Sequence, residues 1–128
     1  MSSELSILAL YGLLTMVQIL IHVLTATPPL GIPYLVSPRD EDRKLTGVPG
    51  RCKRAADNAV VALALFAPAV LLLQAKGGFT AQTLLAAQIF LIMRLVYAVV
   101  YPLGTPWLRT GVWVVAFLAN AYLYLNAL

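Results

Sequence analysis

Apolar positions fall along the chain in four long runs, and the polar positions between them are punctuated by proline and glycine. The first run, Leu5 to Ala26, carries no formal charge with His22 neutral. At about 1.5 Å per residue a helix of this length spans roughly 33 Å, enough to cross the hydrocarbon core of a bilayer. Thr27-Pro-Pro-Leu-Gly-Ile-Pro33 then reads as a stop for any helix. Ala59 to Leu73 is apolar but short of the roughly 20 residues a span needs. The second helix is therefore expected to begin near Arg51 with a polar first turn or two, to carry a kink at Pro68, and to end at Lys76-Gly77-Gly78. The third run extends to Tyr101 with Arg94 inside it, Pro102-Leu-Gly-Thr-Pro106 is a tight turn, and the fourth run ends the chain. The expected spans are about 5–26, 51–75, 79–101 and 107–128. They belong to a single domain, 1–128, with one long loop over about 27–50. Membrane strands would alternate polar and apolar at period two. These runs are apolar on all sides, so the fold class is all-α: an integral membrane four-helix bundle of up-down topology.

Composition agrees with this reading. The chain is 61% hydrophobic and 11% charged, whereas a soluble domain is usually about half apolar and about a quarter charged. Its single cysteine, Cys52, excludes an intrachain disulfide and leaves the redox compartment unread. The N-terminus lacks a basic region, and no small-residue cleavage site directly follows the first run, which is read as a retained span.

Charge sets the expected orientation. The net charge of +4 comes from nine Lys and Arg against five acids, and the basic residues gather near helix ends. Arg39, Arg43, Lys44, Arg51, Lys53, Arg54 and, across the bundle, Arg109 share one side, against Lys76 on the other. By the positive-inside rule that side is cytoplasmic, so loop one lies inside and both termini outside. The mixed run from Arg39 to Lys44 reads as a solvated loop. The simple four-span build and the lack of a eukaryotic retention signal point to a bacterial inner membrane. Anionic headgroups account for the basic excess, and nothing in the chain reads nucleic acid.

Candidate chemistry is confined to a few side chains. Arg94 lies deep in the third span, where a lone guanidinium costs at least about 2.5 kcal/mol, so it is expected to face the interior and to have a partner. Tyr97 and Tyr101 follow on the same helix face; packing or an interfacial belt is the competing account of both. Arg51, Arg54 and Asn58 form one stripe at the start of helix two, and Lys53 and Asp57 are spaced to pair at i, i+4. Arg109 sits in the first turn of helix four. Two helix N-termini reinforced by arginine on one membrane side make a candidate anion site, although cytoplasmic arginines also arise from topology alone. Gln18 and His22, at i, i+4, are expected to bond between helices. With one His and one Cys no metal set is assembled, and no nucleotide-binding glycine motif or catalytic acid pair is present.

The stretch Arg51-Cys-Lys-Arg-Ala-Ala-Asp-Asn58, running on to Phe66, resembles the second-helix signature of the MAPEG family, the membrane-associated proteins in eicosanoid and glutathione metabolism. Arg94-Leu-Val-Tyr97, then Tyr101, then Pro106-Trp-Leu-Arg109-Thr110 resembles the family's third helix, its short turn and the opening of its fourth. The resemblance implies a left-handed bundle assembled as a homotrimer, with glutathione bound between subunits near the cytoplasmic face. It places Arg54, Asn58, Tyr97, Tyr101, Arg109 and Thr110 at glutathione, with Arg109 beside the sulfur and Tyr97 or Tyr101 as the hydrogen-bonding catalytic partner. Arg94 becomes the structural intramembrane arginine. Two positions depart from the pattern. Val61 stands where glutathione-binding members usually carry a glutamate, and Asp57 stands where some carry an arginine. Asp57 is expected to supply the missing carboxylate one turn closer to the cytoplasm.

Three functional readings remain at this stage. The first is a glutathione-dependent transferase or peroxidase acting on lipophilic electrophiles from the bilayer. The second is a non-catalytic relative binding lipid or a membrane partner in the intersubunit groove. The third is a small transporter or channel subunit, for which Arg94 and His22 are the intramembrane ionisable groups.

Overall fold

The structure is a computed structural model and describes residues 3–38, 44–104 and 106–128. The charge run expected to form a solvated loop lies outside the described residues up to position 43. Among the described residues all regular structure is helical: α1 (Glu4–Leu30), α2 (Ile32–Val36), α3 (Gly47–Lys76), α4 (Ala81–Leu103) and α5 (Pro106–Ala127). The four longer helices are each long and apolar enough to cross a membrane. They run up and down, α1 packing mainly along α3 and α4 along α5.

The helix ends follow from local chemistry. Ser3 caps α1, its Oγ accepting the Ser6 N–H at 3.2 Å, and Glu4 occupies the first turn where a carboxylate favours the helix dipole. The expected stop at Thr27 is not kept, because α1 runs on through Pro28 and Pro29 to Leu30. Those prolines lie in the final turn, where each forgoes its own N–H bond but a φ near −65° still suits a helix. Gly31 ends the helix with φ 82°, its N–H reaching back to the Thr27 carbonyl at 2.8 Å. The short α2 lies inside the stretch expected to be a loop and carries Pro33 in its first turn, where the missing N–H costs no bond.

α3 starts at Gly47, four residues before Arg51, and contains Pro68. It ends at Gly77 in the left-handed conformation, with the Gly78 N–H bonded to the Leu73 carbonyl at 2.9 Å. Thr80 and Thr83 form a reciprocal capping box that opens α4. Gly104, again left-handed, closes α4, and Pro106 opens α5.

The core is aromatic at its centre and built of small residues around it. The Phe66 and Phe90 rings stack at 4.1 Å and 7°, and Tyr11 meets both edge-on at 6.1 and 5.0 Å. The Tyr11 hydroxyl donates to the Ala59 carbonyl at 3.0 Å, which joins α1 to α3. Buried Ala55, Ala59, Ala69, Ala87 and Ala116 let the backbones approach, as alanine does between membrane helices. Between 22% and 39% of each span's most apolar stretch is buried inside the chain. The remainder faces outward and needs a bilayer or a second apolar surface to cover it.

Polar contacts separate the two ends of the bundle. At one end buried Thr83 donates to the carboxylate of buried Glu4 at 2.8 Å, and the Lys76 ammonium lies 3.4 Å from the Leu128 carbonyl oxygen. The basic residues gather at the other.

Candidate functional site

At the basic end, the first turns of α3 and α5 meet the last turns of α4. Arg51 donates from Nε to the Pro102 carbonyl at 2.8 Å and so closes the C-terminus of α4, where orphan carbonyls favour a cation. This is a structural duty. The next basic residue on the stripe, Arg54, donates from Nε to the Tyr101 hydroxyl at 3.3 Å. Tyr101 packs its ring 5.3 Å from that of Tyr97 and lies under the Arg109 guanidinium, whose carbon is 4.7 Å from the ring centre. Tyr101 thus links arginines from two different helices.

A hollow of about 290 Å³ opens beside these groups, lined by Asn58, Tyr97, Tyr101, Arg109, Thr110 and Trp113. Five of the six residues expected at glutathione line this one space. Arg54, the sixth, touches it through Tyr101 and itself lines a neighbouring cavity of about 530 Å³ with Lys44, Lys53 and His22. Trp113 was not anticipated. It follows Arg109 by four residues and so shares its helix face, the one sequence signal that marks it.

The MAPEG family model matches residues 5–128 of the chain.

The chain belongs to the MAPEG family.

No curated protein matches it, and no solved structure does. The family match covers all four spans and both motif regions that frame the hollow. The protein is accordingly a multi-pass membrane protein of the MAPEG family.

The chain holds its intramembrane arginine, Arg94, with an amide and aromatic rings. Arg94 is 2% exposed. It donates from Nη1 to Asn58 Oδ1 at 2.9 Å and lies over the Tyr97 ring at 4.3 Å, with the Tyr11 ring at 6.0 Å. Its partner is therefore an amide and aromatic faces. The carboxylate expected from Asp57 does not reach it. Asp57 is 64% exposed and pairs with Lys53 at 2.9 Å on the outer surface of α3. The physical reason is register: Asn58, one position on, already turns to α4, so its neighbour Asp57 is carried around the helix by about 100°. The i, i+4 spacing to Lys53 then decides its partner. Val61, 58% exposed, brings no charge to this level of α3.

Chemically, the hollow offers a guanidinium, phenol rings with their hydroxyls, an amide and a threonine. Such a set has the donors that an anion with hydrogen-bonding arms requires, and it adjoins the apolar face of Trp113.

Proposed function

We propose that this MAPEG protein binds glutathione at the basic end of its bundle and uses it on a lipophilic electrophile, by transfer or by peroxide reduction. The observation that carries the reading is the convergence of Asn58, Tyr97, Tyr101, Arg109 and Thr110 on one hollow. Glutathione is an acidic tripeptide, and the guanidinium groups of Arg54 and Arg109 with amide and hydroxyl partners are the donor set its carboxylates call for. Glutathione, when bound, supplies the thiol that becomes the nucleophile.

The protein's own part is positioning and charge. Arg54 and Asn58 hold the tripeptide. Arg109 is steadied by Tyr101 and stands beside the sulfur. A thiol of ordinary pKa, about 8.5, is mostly protonated at neutral pH, and a fixed guanidinium next to it favours the thiolate. Tyr97 or Tyr101 donates a hydrogen bond to sulfur or to the leaving group. The electrophile arrives sideways from the bilayer past Trp113, which is 38% exposed.

The assembly we propose is a homotrimer in which neighbouring subunits cover the outward apolar faces and close the hollow. The orientation we propose puts the basic end in the cytoplasm of a bacterial cell, with both termini outside.

Equilibrium binding of glutathione to the purified protein in detergent, beside an Arg109→Ala variant, tests the reading. Saturable binding that weakens in the variant supports it. No binding at millimolar glutathione, in protein shown to be folded by its melting curve, overturns it. One observation favours a second, non-catalytic reading, in which lipid or a membrane partner occupies the groove: Val61 leaves the middle of α3 without the acid expected there, and Arg94 without a counter-charge.

A further inference from the structure

Pro102 stands in the last turn of α4. It has no N–H, so the carbonyl of Ala98, one turn earlier, is denied the donor that a regular helix would give it. Ala98 and Pro102 both line a cavity of about 50 Å³ between α1, α3 and α4, with Gln18, Ile21, Cys52 and Ala55 as the other walls. Gln18, on α1, is 6% exposed, and neither its Nε2 nor its Oε1 has a hydrogen-bond partner among the described residues. The direct bond between helices expected of Gln18 is therefore not made. A buried primary amide with both ends unmet bears a desolvation cost, and an orphaned backbone carbonyl nearby adds to it.

The size and lining of the cavity decide what fills it. It exceeds the roughly 10–15 Å³ that one water requires and falls far below the about 300 Å³ at which small-molecule sites begin. Water accepts from Nε2 and donates to Oε1 or to the Ala98 carbonyl, so it matches both kinds of atom. An apolar guest would leave all of them unmet. The buried thiol of Cys52 is a further, weaker partner. Water also has a short way in, since Cys52 lies in the second turn of α3 and Pro102 in the last turn of α4, both near the basic end. Ordered water is one of the means by which a proline is tolerated in a membrane helix.

We infer that this cavity is a buried hydration site, in which water bridges the Gln18 amide of α1 to the Ala98 carbonyl of α4 and makes Gln18 a positioning residue for the last turn of α4. That turn carries Tyr101, whose hydroxyl accepts from Arg54 and whose ring lies under Arg109. The bridge thus fixes from behind a side chain that joins two arginines. The inference stands without glutathione, because no residue lining this cavity borders the hollow.

The test is solid-state NMR on the full chain in lipid bilayers, with isotope-labelled glutamine and tyrosine. Of the four glutamines, Gln18 is assigned as the side-chain amide signal lost in Gln18→Met. Magnetisation transfer from water to that amide is expected at mixing times that suffice for exposed Gln74. Gln18→Met is expected to lower the melting temperature by several degrees and to shift the ring signals of Tyr101, themselves assigned with Tyr101→Phe. Pro102→Ala returns an N–H to the Ala98 carbonyl, so the melting loss from Gln18→Met is expected to be smaller in that background. Absence of water transfer to Gln18 overturns the inference. So does a rise in melting temperature in Gln18→Met, the mark of an amide that was buried dry. Equal losses in the two backgrounds overturn the bridge to Ala98, and unmoved Tyr101 signals overturn the positioning role. Should Gln18→Met fail to fold, Gln18 is assigned by sequential correlation in the unsubstituted chain, and water transfer to it decides.

Discussion

The two ends of the bundle use polar side chains to opposite purposes. At the end where α1 and α4 begin, Glu4, Thr80 and Thr83 form a closed set of bonds: the capping box opens α4, and its threonine hydroxyl also serves the buried carboxylate. At the basic end, Arg51 is spent on a helix terminus. Arg54, Tyr97, Tyr101 and Arg109 are held against one another around open space. Satisfied polar groups stabilise a fold. Polar groups that are positioned, with room left beside them, are what a ligand requires, and the difference separates scaffold from site without reference to any relative.

The comparison is broken most severely through the core that both ends share. Phe90→Ala removes one ring of the central stack and is expected to cost about 3–5 kcal/mol, seen as a large fall in melting temperature in detergent with both ends loosened. Thr83→Val is expected to cost about 1–3 kcal/mol, because it strips a buried carboxylate of its donor, and to leave glutathione affinity unchanged; a loss of affinity would show that the scaffold end and the basic end are coupled. Tyr101→Phe removes the acceptor of Arg54 and keeps the ring under Arg109. It is expected to lower glutathione affinity by about tenfold or less, with a stability change under about 1 kcal/mol, in binding and melting measurements on one sample. Asp57→Asn is expected to have the smallest effect, under about 1 kcal/mol in stability, since it breaks only an exposed pair. A large effect on glutathione binding there would mean that Asp57 takes a second role once subunits assemble.

Much of this was legible in the sequence, and for stated reasons. Four spans follow from apolar length, and the ends at Gly77 and Gly104 follow from the need for a left-handed residue. The Arg54–Asn58 stripe and the Tyr97–Tyr101 face follow from helical spacing. Other features required the fold. Pro28 and Pro29 look like breakers until their place in the last turn of α1 is known. Trp113 is indistinguishable from a lipid-facing aromatic until α5 is set against α4. The Asn58–Arg94 bond joins two helices, and no pattern within either helix announces it. Once it is made, it also determines where Asp57 points, toward Lys53 on the outer surface of α3.

The Phe66–Phe90 stack has a consequence for how the protein meets bilayers of different thickness. Two rings 4.1 Å apart and nearly parallel fix the axial register of α3 against α4. Sliding one helix by a turn, about 5.4 Å, would part them. A thinner or thicker membrane is therefore met by tilting the bundle as one body, the usual response to hydrophobic mismatch, and not by shear between helices. The spacing of Asn58 on α3 from Tyr97 and Tyr101 on α4 then stays constant from one membrane to another.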